Sequence, residues 1–336
     1  MKLLIVTQVL DKHHPILGFF HRWVEEFSKH CEKVTVICLQ KGEYTLPANV
    51  SVYSLGKEIG KSKIGYLTTF YKLIWRLRHE YDSVFVHMNQ IYVILGAPLW
   101  RAQGKKVGLW YAHGAVSRSL IWAEKMADII FTCSQESFRV KSRKVVVTGH
   151  GIDVDHFKIV PEIKTHDLVT VGRITQTKNL TALVDMFSQI RESKDCRLTI
   201  VGSALTIQDK AYESNLKQYV ATKNLTPYVD FTGNYSQADL PKYLNQSKIF
   251  VTTAQNGSLD KAMLEAMACG LPIVSAAKGS VSLPLGSAQV EQPDDFVLEV
   301  EKVLESGLYI CEHYFDFIST HHSLQSLVPK IIKELS

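Results

Sequence analysis

The sequence predicts an α/β protein of two doubly wound domains facing a cleft. Three observations carry this expectation. Apolar strands of the fully buried type alternate with helical stretches, as parallel sheets require. The alternation stops at a turn-rich stretch near 150–165 and then restarts. The 336 residues make about two domains of ordinary size. With 46% hydrophobic and 21% charged residues, the chain can fill such cores, which excludes a disordered protein. The net charge of +5 permits an anionic substrate or a membrane surface. Without a basic tail or Arg-rich arm, no nucleic-acid partner is expected.

In chain order, Lys2-Leu-Leu-Ile-Val-Thr-Gln-Val9 reads as the first strand. A loop over 11–18 leads to a helix near 19–30, and 33–39 forms the second strand. Gly18 falls where backbone must pass close to a ligand or to a neighbouring helix. Residues 50–55 give a third strand and 64–81 a helix. This helix carries Tyr66, Phe70, Tyr71 and Trp75, with Lys57, Lys61, Lys63, Lys72, Arg76 and Arg78 around it. Such a segment either rests on an anionic membrane or turns its aromatics into the core. Strands follow at 83–88, 106–112, 126–134 and 144–149, with a helix ending near 102. His113 stands at a strand's carboxyl end, a ligand-facing edge or a structural position.

The second half restarts with a strand over 167–171 and a helix over 178–191. Strands at 197–201 and 229–232 bracket a helix over 208–223. A strand over 249–253 precedes a polar loop and a helix over 260–269, stopped by Gly270, before the strand at 271–275. Ser258 or Asp260 can cap that helix. The tail from 294 reads as two or three helices. The domains are expected at 1–155 and 156–315, with 316–336 returning to the first.

Six scattered cysteines without C-x-x-C spacing read as buried reduced thiols. The first residues run straight into a strand, and the longest apolar run, 91–100, is too short to cross a bilayer. A cytoplasmic protein is expected, with peripheral membrane contact through 57–80.

The chemistry concentrates after two strands. Gly172 permits close backbone approach, and Arg173 and Lys178 supply two cations beside a helix start, an arrangement suited to a diphosphate. The helix beginning near 260 adds a second anion-favouring N-terminus. Glu265, the one acid of Ala262-Met-Leu-Glu-Ala-Met-Ala268, would repel phosphate and so suits hydroxyls, such as a ribose diol. Asp153-Val-Asp155 lies in the domain junction, and no metal ion or other cofactor is expected.

These motifs resemble glycosyltransferase family 4, of the GT-B fold with two Rossmann-like domains. The resemblance rests on His150-Gly-Ile-Asp-Val-Asp-His-Phe157, Val171-Gly-Arg-Ile-Thr-Gln-Thr-Lys178, Leu198-Thr-Ile-Val-Gly202, Phe231-Thr-Gly233 and Leu264-Glu-Ala-Met-Ala-Cys-Gly-Leu-Pro-Ile-Val274. It implies a retaining transferase that moves a hexosyl group from a UDP- or GDP-sugar to a saccharide or lipid-linked acceptor in cell-surface polysaccharide biosynthesis. A nucleotide-sugar epimerase of the same fold, or a non-catalytic sugar-nucleotide binder, is the alternative. By resemblance, Arg173 and Lys178 would bind the donor diphosphate and Glu265 the ribose hydroxyls. Gly18 would approach the donor, and His113 would sit near the transferred sugar. Asn234 and Tyr235 would lie near the nucleobase, and Gly172, Gly257, Ser258, Leu259 and Asp260 would line the donor site.

One departure stands out. The family pattern sets two glutamates with seven residues between them, and counting back from Glu265 reaches Gly257. Either Asp260 takes over the missing acid's contact with the sugar, or it only caps the helix.

Overall fold

The structure is a computed structural model that describes residues 1–233, 235–255, 257 and 259–336. The chain divides into two compact units: Met1–Asp153 with His321–Ser336, and Val154–Thr320.

The first unit holds β1 (Lys2–Leu10), α1 (Phe19–His30), β2 (Lys33–Lys41), β3 (Val50–Ser54), α2 (Lys63–Arg76), β4 (Ser83–His87), α3 (Ile91–Ala102), β5 (Lys106–Trp110), α4 (Arg118–Met126), β6 (Ile129–Thr132) and β7 (Val145–Val147). The second holds β8 (His166–Val171), α5 (Leu180–Ser193), β9 (Leu198–Val201), α6 (Ile207–Thr222), β10 (Val229–Gly233), α7 (Leu240–Asn245), β11 (Ser247–Thr252), α8 (Lys261–Ala268), β12 (Ile273–Ser275), α9 (Pro293–Ser306) and α10 (Glu312–His321). Helix α11 (Leu324–Leu335) belongs to the first unit.

Both sheets are wholly parallel. Their strand orders are β3-β2-β1-β4-β5-β6-β7 and β10-β9-β8-β11-β12. Each is a doubly wound α/β sheet, as the alternating pattern predicts. The order reverses between β1 and β4 in the first unit and between β8 and β11 in the second. Ligands of open parallel sheets bind outside the carboxyl ends of the strands at such a switch point. Each sheet packs its own core. Leu4, Val6, Val84, Val86, Phe70, Ile74, Tyr92 and Trp100 join α2, α3 and β-strand side chains in the first unit. Leu183, Phe187, Ile200, Ile249, Val251 and Phe296 do the same in the second.

Several predicted bounds shift for identifiable reasons. The helix predicted over 64–81 ends at Arg76, because Leu77 and Tyr81 turn inward. The Tyr81 hydroxyl donates to the Ile74 carbonyl and accepts from Trp100 Nε1. The strand predicted over 126–134 begins at Ile129, because Met126 closes α4, a helix that the apolar pattern hid. Ser117 caps it by accepting from the Leu120 N–H. Helix α5 begins at Leu180 because Asn179 takes a left-handed turn at φ 51°. The tail makes three helices. The six cysteines form no disulfide. Among the described residues, no helix is long and apolar enough to cross a membrane.

Candidate active site

The switch point of the second sheet gathers most of the predicted site residues. Strand β8 runs out at Val171 into Gly172, whose φ of 140° lies in the region that favours glycine. A Cβ there would stand 2.8 Å from Lys178 Cε and 2.9 Å from its Nζ. The lysine side chain therefore lies directly across the strand end, in space that any other residue would fill. Gly202, after β9, also has φ 140°, and its Cβ would meet the Gly172 carbonyl at 2.0 Å. Two glycines thus let adjacent strand ends close on each other beneath Lys178.

Lys178 Nζ donates to Asp260 Oδ2 at 2.6 Å and to the Val171 carbonyl at 3.3 Å. Asp260 is the N-cap of α8, and its Oδ1 accepts from the Ala262 N–H at 3.2 Å. The carboxylate thus does two jobs, capping the helix and holding the cation. The loop after β11 is stitched to the loop after β8. Thr253 Oγ1 donates to the carbonyls of Lys178 and Asn179, and the Gln255 N–H donates to the Thr177 carbonyl. The cation and the α8 N-terminus are held side by side by these bonds, which is an anion-binding arrangement.

Arg173 is exposed, and its Nε stands 3.6 Å from Asp209 Oδ2. Asp209 closes a capping box with Thr206 at the start of α6. Partial burial raises the Asp209 carboxyl, but hydrogen bonds from Thr206 and the charge of Arg173 outweigh it, and the net shift is downward. Both predicted cations therefore face an aspartate, and a diphosphate bound there would compete with Asp209 and Asp260 for them.

Glu265 is 2% exposed and ion-paired with Lys261 one turn before it on α8. Lys261 also stands over the Phe157 ring, 5.8 Å from its centroid. Tyr235 is half-buried; burial, then the charges of Glu265 and Asp260, push its hydroxyl above the ordinary range. Tyr235 is thus within electrostatic reach of both acids. Gly257 has φ 65°, a left-handed backbone that suits glycine and would strain a glutamate. Leu259 is buried. Asn234 and Ser258 lie outside the described residues.

In the first unit, Gly18 caps α1 after β1. A Cβ there would meet the His14 carbonyl at 2.7 Å and that of Lys12 at 2.9 Å, so the close approach is to its own loop. His113 follows β5 and is exposed; its Nδ1 accepts from the Ala115 N–H at 3.1 Å.

Sequence reasoning missed Asp209 and Lys261. The Lys261–Glu265 spacing of four on a helix was a usable signal. Asp209 had only its capping box, Thr206 with Asp209, to announce it.

Residues 152–316 match the family described as Glycosyl transferases group 1. This part of the chain, nearly coextensive with the second unit, therefore carries a group 1 glycosyl transferase domain. The amylovoran biosynthesis glycosyltransferase AmsK of Erwinia amylovora is 28% identical over 168 residues, 47% of this chain and 38% of that protein. The D-inositol 3-phosphate glycosyltransferase of Pseudarthrobacter chlorophenolicus is 28% identical over 149 residues, 44% of this chain and 31% of that protein. The aligned part thus spans well under half the length of these relatives. Among solved structures, Anabaena Alr3699/HepE in complex with UDP has a TM-score of 0.79 at 17% identity, covering 100% of this chain and 99% of that one. The apo lipopolysaccharide outer core galactosyltransferase WaaB has a TM-score of 0.69 at 15% identity, covering 100% of both chains. The fold, two parallel-sheet Rossmann-like domains, is the one these GT-B glycosyltransferases share.

Proposed function

We propose that the protein is a retaining glycosyltransferase. Its donor is a UDP- or GDP-linked hexose, and its acceptor is a saccharide or lipid-linked saccharide of a cell-surface glycan. The observation that carries this reading is Lys178, laid across Gly172 at the switch point beside the α8 N-terminus. In transfer, the bond from the sugar's C1 to the diphosphate breaks and its electron pair goes to the leaving phosphate. The acceptor oxygen bonds to C1, and its proton passes to that phosphate. The charge that builds there is met by Lys178, Arg173 and the N–H groups opening α8; such pre-aimed electrostatics is commonly the largest catalytic contribution. These cations would neutralise the diphosphate without a metal ion.

In this reading Glu265 binds the ribose hydroxyls after Lys261 swings aside, and Tyr235 borders the nucleobase. Gly257 and Leu259 line the donor. The UDP complexes of a structurally similar protein support a nucleotide-sugar donor, and the names of the relatives support glycosyl transfer. Gly257 in place of an acid favours one further reading, a sugar-nucleotide binder without turnover.

A panel of nucleotide sugars, with nucleoside diphosphate release and product anomer read by NMR, separates the possibilities. Release that persists in EDTA, with an α-linked product from an α-linked donor, is the expected result. C2 epimerisation without release, or binding without turnover, would refute transfer.

A further inference from the structure

We infer that the outer face of α2 seats the first unit on an anionic lipid surface. The core face of this helix is complete: Phe70, Leu73 and Ile74 are buried against the sheet. A second apolar stripe remains outside. Ile64 is 75% exposed, Leu67 38%, Tyr71 40% and Trp75 55%. Their spacings of three, four and four residues put them on one side of the helix, away from the buried set. Just before the helix, Ile59 is also exposed.

The charges around this stripe have one sign. The helix sequence holds Lys63, Lys72 and Arg76 and no acid. Lys57 and Lys61 precede it, and Arg78 follows, stacked 4.5 Å over the Trp75 ring. The two nearby acids are engaged elsewhere: Glu58 accepts from Ser54 Oγ at 2.8 Å and Glu80 from Lys33 Nζ at 2.7 Å. The bias extends to the whole unit. It carries 23 Lys and Arg against 13 Asp and Glu, a net +10, whereas the second unit carries 15 against 20, a net −5.

An apolar stripe ending in Tyr and Trp and rimmed by long cationic stems is the composition of a helix lying in a bilayer interface. The stripe enters the headgroup boundary while the stems reach back to the phosphates. A soluble acidic partner would account for the cations and leave Ile64, Leu67 and Trp75 in water. This inference goes beyond the transferase reading and does not require it.

The test is flotation with two vesicle types, phosphatidylcholine alone and phosphatidylcholine with phosphatidylglycerol, carrying no donor or acceptor. The expected result is binding to the anionic vesicles at low salt, weakening as salt rises, with little binding to the neutral ones. Lys63→Glu with Lys72→Glu should weaken binding by at least roughly 25-fold, about fivefold for each cation removed. Independently, Leu67→Ser with Trp75→Ser should weaken it on the order of tenfold. Circular dichroism confirms folding of each variant, and the salt dependence of the unaltered protein tests the proposal without any variant. Failure of the unaltered protein to float, equal binding to neutral vesicles, or folded variants that float like the unaltered protein would each overturn it. Capture of an acidic protein with no vesicle binding would also overturn it.

Discussion

Lys178 and Asp260 make the charge balance of the proposed donor site a competition. At 2.6 Å, partly buried, the pair is a charge-assisted hydrogen bond that a phosphate must displace. Replacing Asp260 with Asn tests which of its two jobs governs. Asparagine caps helices as well as aspartate does, so α8 should persist with little loss of stability. The lysine, released from its anion, should then bind the nucleoside diphosphate several-fold more tightly, as titration calorimetry would read. If Asp260 instead holds the transferred sugar, the variant would lose turnover with diphosphate affinity unchanged. The sequence makes Lys178, Gly172 and the helix start legible, because glycine and cation types follow strands in a recognisable order. It does not show that the lysine is already occupied. That pairing joins residues 82 positions apart and exists only once β8 and β11 lie side by side. Glu265 is similar: the lone acid is plain in the sequence, but its burial against Lys261 is not.

At the scale of elements, alternation and period located nearly all strands and long helices. What escaped detection were short elements whose cause is a cap or a tertiary contact: α4 with Ser117, α7, and the early end of α2. Helix α8 shows how strongly an end can be specified. Gly270 N–H bonds to the Met267 carbonyl and Leu271 N–H to that of Ala266, a Schellman pair that turns the chain into β12. Gly270 has φ 67°, and a Cβ there would meet Ile159 Cγ1 at 2.8 Å. Gly307 ends α9 with nearly the same φ, 66°, but its Cβ would meet nothing within 4 Å. Each Gly→Ala change should cost about 1 kcal/mol for the left-handed backbone. Gly270→Ala should cost at least another 1 kcal/mol, because Ile159 must shift. Denaturant melts should therefore rank Gly270→Ala below Gly307→Ala. Equal costs would show that the Ile159 contact is readily relieved.

At the scale of the molecule, each unit holds its own core, and the two respond to different conditions. His87, fully buried, stacks on Phe20 with ring centroids 4.0 Å apart and on Trp110 at 5.3 Å; burial and the nearby His150 lower its pKa to about 3. Burial, then His321 and Lys330, lower that of His322 to about 4. Both belong to the first unit. A histidine whose folded pKa lies below its unfolded value takes up protons on unfolding. Its unit therefore loses stability as pH falls from the unfolded value of 6.5 toward the folded one. For His87 alone the loss by pH 5 is about 2 kcal/mol. The proposed donor cradle, by contrast, is built on the second unit, and a ligand at 100 times its dissociation constant stabilises its site by about 2.7 kcal/mol. Calorimetry should therefore resolve two transitions. Lowering the pH from 7 to 5 should move one downward, and adding UDP should move the other upward. A single transition that shifts as a whole under both treatments would mean that the units unfold together. A UDP response confined to the acid-sensitive transition would mean that the nucleotide binds the first unit, and the assignment of Arg173 and Lys178 to the diphosphate would fail with it.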